Sequence, residues 1–242
     1  AGHNVFLKGT MGDTPGSQTI STQLQGIAEQ AVRYPDTVFN NVYHKINLDL
    51  LREAYRQVRK DGSPGVDKVT AKEYAKNLDE NLSDLRERLR WGTYVAPPVE
   101  RAWLDKEDGR KRPIGKPTFE DKIVQRAVEM VLYVIYDVNF YDFSHGFRKG
   151  HSQHQALREL REQCLRLNIG WIVDADVSGF FDNLDHGLLR KFIKRRINDG
   201  GILRLIGKWL KAGVLEGEQL TYPEKGTPQG GVISPVLSNI FL

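Results

Sequence analysis

The sequence predicts an α+β fold, and three observations carry that prediction. Apolar residues recur at helical spacing through most of the chain. The periodic stretches open on residues able to cap a helix, namely Asn47, Thr70, Thr118 and Ser152. Strand-like runs are few and arrive only after Val95. Helices that dominate, with a few late strands, belong to α+β rather than to a regular α/β alternation.

The elements follow in order. Ala1 to Thr10 precede Met11, lack a signal-peptide pattern and are read as a leader foreign to the fold. Met11 to Tyr34 is polar and weakly patterned, a flexible arm or a lone helix. Asn47 caps a helix whose buried side carries Leu48, Leu51, Tyr55 and Val58, ending near Asp61 and Gly62. Gly62 to Asp67 is a turn-rich loop. Thr70 and Glu73 form a capping box. Tyr74, Leu78, Leu82, Leu85 and Leu89 continue at helical spacing, with a split expected near Asn81.

Val99 to Leu104 and Arg110 to Ile114 read as a hairpin around an Asp105–Gly109 turn, signalled by Asp108-Gly109. Thr118 caps a long apolar helix to about Tyr136, and Phe140 to Gly150 is a loop. Ser152 caps a helix to about Leu167. Trp171 to Val177 is expected to be a short buried strand bearing Asp174 and Asp176. Two basic helices cover His186 to Asn198 and Ile202 to Lys211. A hairpin is expected at Leu215 to Tyr222, then a Gly/Pro loop at Lys225 to Gly231 and a helix from Ser234. Ser238 to Leu242 is an apolar run without a stop signal, which suggests a chain cut from something longer.

Composition excludes several classes. The apolar run Ala127–Tyr136 is broken by Glu129, so no membrane span is expected. A single cysteine, Cys164, excludes a disulfide scaffold and a multi-cysteine zinc site. A net charge of +4 does not by itself mark a nucleic-acid binder. Its distribution is more telling. Arg190 to Lys211 carries eight Lys/Arg against one acid, Asp199, a local +7 that fits contact with a phosphate backbone. A solvated helix face is the commoner fate of such a run.

Asp174 and Asp176 are the strongest chemical signal. An unpaired carboxylate inside an apolar strand is costly to bury. Residues two apart on a strand share a face, so both acids would address one side, where a divalent cation could compensate them. On spacing alone, helix capping or pairing with an arginine is an equally open reading.

With its neighbours, this segment becomes recognisable. Asp176, four residues and then Phe181, in the string Asp-Val-Ser-Gly-Phe-Phe-Asp, resembles the first catalytic motif of group II intron-encoded reverse transcriptases (maturases). Four other blocks occur in that family's order. Gly62–Asp67 is similar to its N-terminal loop motif, and Arg112–Thr118 to its fingers block. Ser144–Ser152 resembles the block before the palm strand, and Lys225–Pro235 the block after it.

The resemblance, from about Leu48 to Leu242, implies a right-hand fold. Residues 11–46 would be an N-terminal arm, 47–169 the fingers with their extension, and 170–242 a partial palm. It implies RNA-directed DNA synthesis with Mg²⁺, with an RNA template and a primer, group II intron RNA and deoxynucleoside triphosphates as partners. A cytoplasmic setting in a bacterial or organellar host goes with it; the oligomeric state stays open.

Asp176 would be the catalytic metal ligand and Asp174 supportive. Phe181 would exclude ribonucleotides at the 2′ position. Arg112 and, less firmly, Lys106 would clamp the triphosphate, and Gln229 would contact the incoming nucleotide. Arg190, Lys191, Lys194, Arg195 and Arg196 are the candidate RNA contacts. The family's later aspartate pair does not occur in these 242 residues, so this chain alone is expected to be inactive. Two other readings are an RNA-binding maturase without polymerase activity and a reverse transcriptase of a retron or diversity-generating element.

Overall fold

The computed structural model describes residues 15–105, 109, 111–227 and 230–242. The Thr118 hydroxyl accepts the Asp121 amide at 3.2 Å and starts the central helix, Phe119–Tyr136. Only Glu120, Lys122 and Arg126 of this helix escape burial, as expected of a helix apolar on nearly every side. Ile123, Val124, Ala127 and Val128 have no accessible surface, so truncating any of the larger ones would remove about 1–5 kcal/mol. In chain order the helices are α1 (Pro15–Arg33), α2 (Leu48–Gln57), α3 (Ala71–Tyr74), α4 (Leu78–Arg90) and the central α5. They continue as α6 (Gln153–Arg166), α7 (Phe180–Asn183), α8 (His186–Lys194), α9 (Gly200–Leu210) and α10 (Ser234–Phe241). Helices α1, α2, α3 and α10 pack on α5.

The N-terminal arm is therefore a docked helix, with Leu24, Ile27 and Ala31 in the core. The next segment is tied to the far end of the chain. Phe39 and Ile197 form a parallel bridge, Phe39 donating to Arg196 O at 2.7 Å. Asp199 holds the same junction: one carboxylate oxygen accepts the Val42 and Tyr43 amides, the other those of Gly201 and Ile202.

Four strands form one sheet in the order β2-β1-β3-β4. β1 (Val99–Asp105) and β2 (Lys111–Lys116) are the expected hairpin, in a register from Glu100 opposite Lys116 to Asp105 opposite Lys111. β3 (Val214–Glu216) and β4 (Gln219–Thr221) are the second hairpin. β3 lies parallel to β1, with Val99 opposite Val214. Sequence pattern gives no sign of this pairing, because it joins residues more than a hundred apart.

Two further expectations change, and a helix that forms as expected proves to lie on the surface. The helix expected to split near Asn81 divides at Ala75–Asn77, where the Asn81 side chain donates to Tyr74 O. Helix α6 forms from its Ser152 cap but buries no residue, leaving Leu157, Leu160 and Leu165 exposed. Trp171–Val177 is neither strand nor buried: Trp171 is 91% and Val173 89% exposed. A strand needs a ladder partner, and none of the described strands lies beside this segment. No helix among the described residues is long and apolar enough to cross a membrane.

Candidate active site

Gly179 takes a left-handed conformation (φ 60°, ψ 30°) and turns the chain from the aspartate segment into α7. The amides of Asp182 and Asn183 bond back to Gly179 O, fixing the turn. Phe181 is half-buried, edge-on to Phe180 at 5.5 Å and to Phe147 at 6.4 Å. Phe147 belongs to the loop before α6, so two of the recognised blocks meet at this ring.

The Gly/Pro loop then docks on the same turn. Thr227 N donates to Phe181 O, and Gly226 N to Leu184 O, both at 2.8 Å. His186 Nε2 donates to Gly226 O at 2.6 Å. Gly226 has φ +86°, and a Cβ there would stand 2.8 Å from the carbonyls of Phe181 and Asp182. Gly230, at φ +105°, passes equally close to β2, 2.5 Å from Gly115 O for an added Cβ. A fourth recognised block, Arg112–Thr118, is thereby reached. Between loop and sheet lies a cavity of about 140 Å³, lined by Arg101, Gly115, Asp182, Lys225, Gly226 and Thr227 among others.

The far end of the loop is held by a buried polar chain that the sequence reading missed. Thr227 and Ser234 share a hydroxyl hydrogen bond of 2.8 Å. Ile233 N donates to Gln125 Oε1, and Gln125 Nε2 donates to Asp121. Asp121 also accepts from Trp209 Nε1 at 2.7 Å and from the Tyr94 hydroxyl. Burial pushes the Asp121 carboxyl above its ordinary value, while these three donors pull the other way. The available signal was an acid and a glutamine four apart on the buried face of an apolar helix, where each needs a partner.

Asp174 and Asp176 lie on the exposed 171–179 segment with no hydrogen-bond or ion-pair partner among the described residues. The same-face argument made for a strand does not apply to this irregular segment. Arg112 is exposed on β2 opposite Leu104, and Gly115 is three residues further along the strand. Lys106, Arg110 and Gln229 lie outside the described residues.

Of the basic set, Arg190, Lys191, Lys194 and Arg195 are exposed on and just after α8. Arg196 is corrected: it is 4% exposed, donates to Thr37 O and bonds Asn139 Oδ1, so it is a structural residue. It follows Leu189 and Ile193 at helical spacing, on the face α8 buries. Arg204 and Lys208, from the second basic helix, face a different cavity with Arg90.

Comparison with known proteins gives this geometry a context. A family model described as reverse transcriptase (RNA-dependent DNA polymerase) matches residues 104–242. The group II intron-encoded protein LtrA of Lactococcus lactis subsp. cremoris is 37% identical over 224 residues, covering 90% of this chain and 37% of LtrA. Protein YkfC of Escherichia coli (strain K12) is 39% identical over 183 residues, 74% of this chain and 48% of that protein. The chain thus spans less than half the length of these relatives. A chain of a partial Cas6-RT-Cas1–Cas2 complex superposes with a TM-score of 0.50 over 81% of this chain and 32% of that one, at 22% identity, a likeness of fold. With its blocks in order, three of them meeting around Phe181, and a family model matched over more than half its length, this chain belongs to the reverse transcriptase (RNA-dependent DNA polymerase) family.

Proposed function

We propose that this chain supplies the nucleotide-binding part of an enzyme that copies RNA into DNA and binds group II intron RNA to assist splicing. The observation that carries the reading is the backbone lock between the Phe181 turn and the Gly226–Thr227 loop. Phosphoryl transfer asks a protein mainly for positioning and charge stabilisation, and such a lock fixes two nucleotide-facing segments relative to each other.

In this reading Phe181 presents its ring to the 2′ position and Gln229 meets the incoming nucleotide. Arg112 and Lys106 meet its triphosphate, with guanidinium suited to bidentate contact. Arg190, Lys191, Lys194 and Arg195 track the RNA backbone. The donor set fits magnesium: Asp176 offers hard carboxylate oxygens with no protein partner among the described residues, and Mg²⁺ favours one or two carboxylates plus substrate phosphates. Asp176 would hold it with support from Asp174, and the ion when bound neutralises charge developing on the phosphates.

The test is primer extension on an RNA template by the full-length protein with Mg²⁺. Asp176→Asn should abolish extension, whereas Asp174→Asn should lower it only in part. Equal loss in both would overturn the assignment between the two acids, and full extension by Asp176→Asn would overturn the site. This chain alone carries one family-matched metal carboxylate, and no extension is expected of it.

A further inference from the structure

We infer that a second pocket, between the end of α4 and the solvent side of α9, holds an unpaired nucleotide of RNA. Its base would lie on Trp91 and its phosphate between Arg204 and Lys208. The inference rests on the nucleic-acid-binding reading above and concerns a site that reading does not use.

The cavity measures about 140 Å³ and is lined by Tyr43, Arg90, Trp91, Gly201, Arg204 and Lys208 among others. Three cations face it, and carboxylates are scarce around them. Among the described residues no carboxylate oxygen lies within 4.0 Å of Arg204 or Lys208, and both appear in no ion pair. Asp199, the acid closest in sequence to Arg204, already accepts four backbone amides. Glu87 is 3.8 Å from Arg90 but pairs more closely with Arg86, at 2.6 Å. The pocket therefore keeps a surplus of positive charge that an anion would neutralise.

The aromatic wall points to a base beside that anion. Trp91 is 71% exposed, and the Arg90 guanidinium lies 5.4 Å from its ring centre. An exposed indole next to cations is the composition of single-strand sites, where a base stacks and its phosphate pairs. The wall is also built. Trp91 N donates to Glu87 O, Gly92 N to Leu89 O and Tyr94 N to Arg88 O. Lys208 clamps the loop from across the pocket by donating to Gly92 O and to Tyr94 O. The Tyr43 hydroxyl donates to Leu89 O at 2.7 Å, placing its ring as the floor against Gly201. Lys208 retains a third N–H and its charge. An unpaired nucleotide suits the site better than a duplex, whose bases are stacked on each other and cannot reach an indole.

Binding of a labelled short oligouridylate and of a blunt RNA duplex to this chain tests the inference, with free uridine monophosphate as competitor. Trp91→Ala should weaken oligouridylate binding by roughly fivefold or more and leave duplex binding unchanged. Trp91→Phe should restore most of the loss. Arg204→Glu should flatten the log–log salt dependence for the oligomer by about 0.7. Both side chains are exposed, so the variants should keep the wild-type circular dichroism. If both variants bind the oligomer as the wild type does, the pocket is refuted while the RNA-binding reading stands. A wild-type chain that binds neither RNA at low salt overturns both. Displacement of the oligomer by uridine monophosphate reassigns the pocket to free nucleotides and overturns the strand assignment. Lost self-association in Trp91→Ala with RNA binding intact would make the face a protein contact.

Discussion

At the residue scale, buried polar side chains join what the sequence separates. Asp199 is 4% exposed and accepts amides both from the start of its own helix and from Val42 and Tyr43, which lie 157 and 156 residues before it. Asp199→Ala removes a helix cap and leaves buried amides without acceptors. Equilibrium denaturation should show a loss of about 2–4 kcal/mol, with Asp199→Asn losing less. His151 carries a different consequence. Burial, Arg148 and His145 lower its pKa below the ordinary 6.5, against opposing pulls from Asp137 and Glu159. The unfolded chain then binds more protons just below pH 6.5, so His151 lowers stability as pH falls through that range. Its imidazole resonances should titrate with a midpoint below 6.5, and His151→Gln should remove that part of the pH dependence. A midpoint at or above 6.5 would contradict the environment described.

At the scale of elements, Gly226 tests the lock between loop and turn. Gly226→Ala adds a methyl 2.8 Å from two carbonyls at a left-handed position, so the loop must leave Phe181. In the full-length protein extension should fall at least tenfold while the melting midpoint moves by only a few degrees; wild-type extension would show that the lock is dispensable. The same scale shows what was legible in sequence. The caps at Asn47, Thr70, Thr118 and Ser152 all form as read, because a cap depends only on residues within one turn. The expected strand at Trp171–Val177 and the β1–β3 pairing were not legible, because a strand is defined by a distant partner. The blocks around Phe181 were legible as an ordered set, but their meeting at one ring was not. Arg196 was read as surface charge when its spacing from Leu189 and Ile193 placed it inside.

For the whole molecule, the tie between residues 39–43 and 196–199 has a meaning in time as well as in space. Chains emerge from the ribosome N-terminus first, and α1, α2 and α5 can begin to pack early. The Val42 and Tyr43 amides have no acceptor until Asp199 has been made, and Val99 cannot gain its parallel neighbour before Val214. Long-range closure of this kind slows folding more than it changes final stability. C-terminal truncations ending before Asp199 should therefore leave the segment around Phe39 open to protease, and those ending beyond Thr221 should protect it. Protection already present in the shorter set would show that the N-terminal segment docks without its distant partner. The junction thus works as a completion check: residues 39–43 are made well before their partners and are among the last to be secured, and their protection reports that α9 and the second hairpin have arrived.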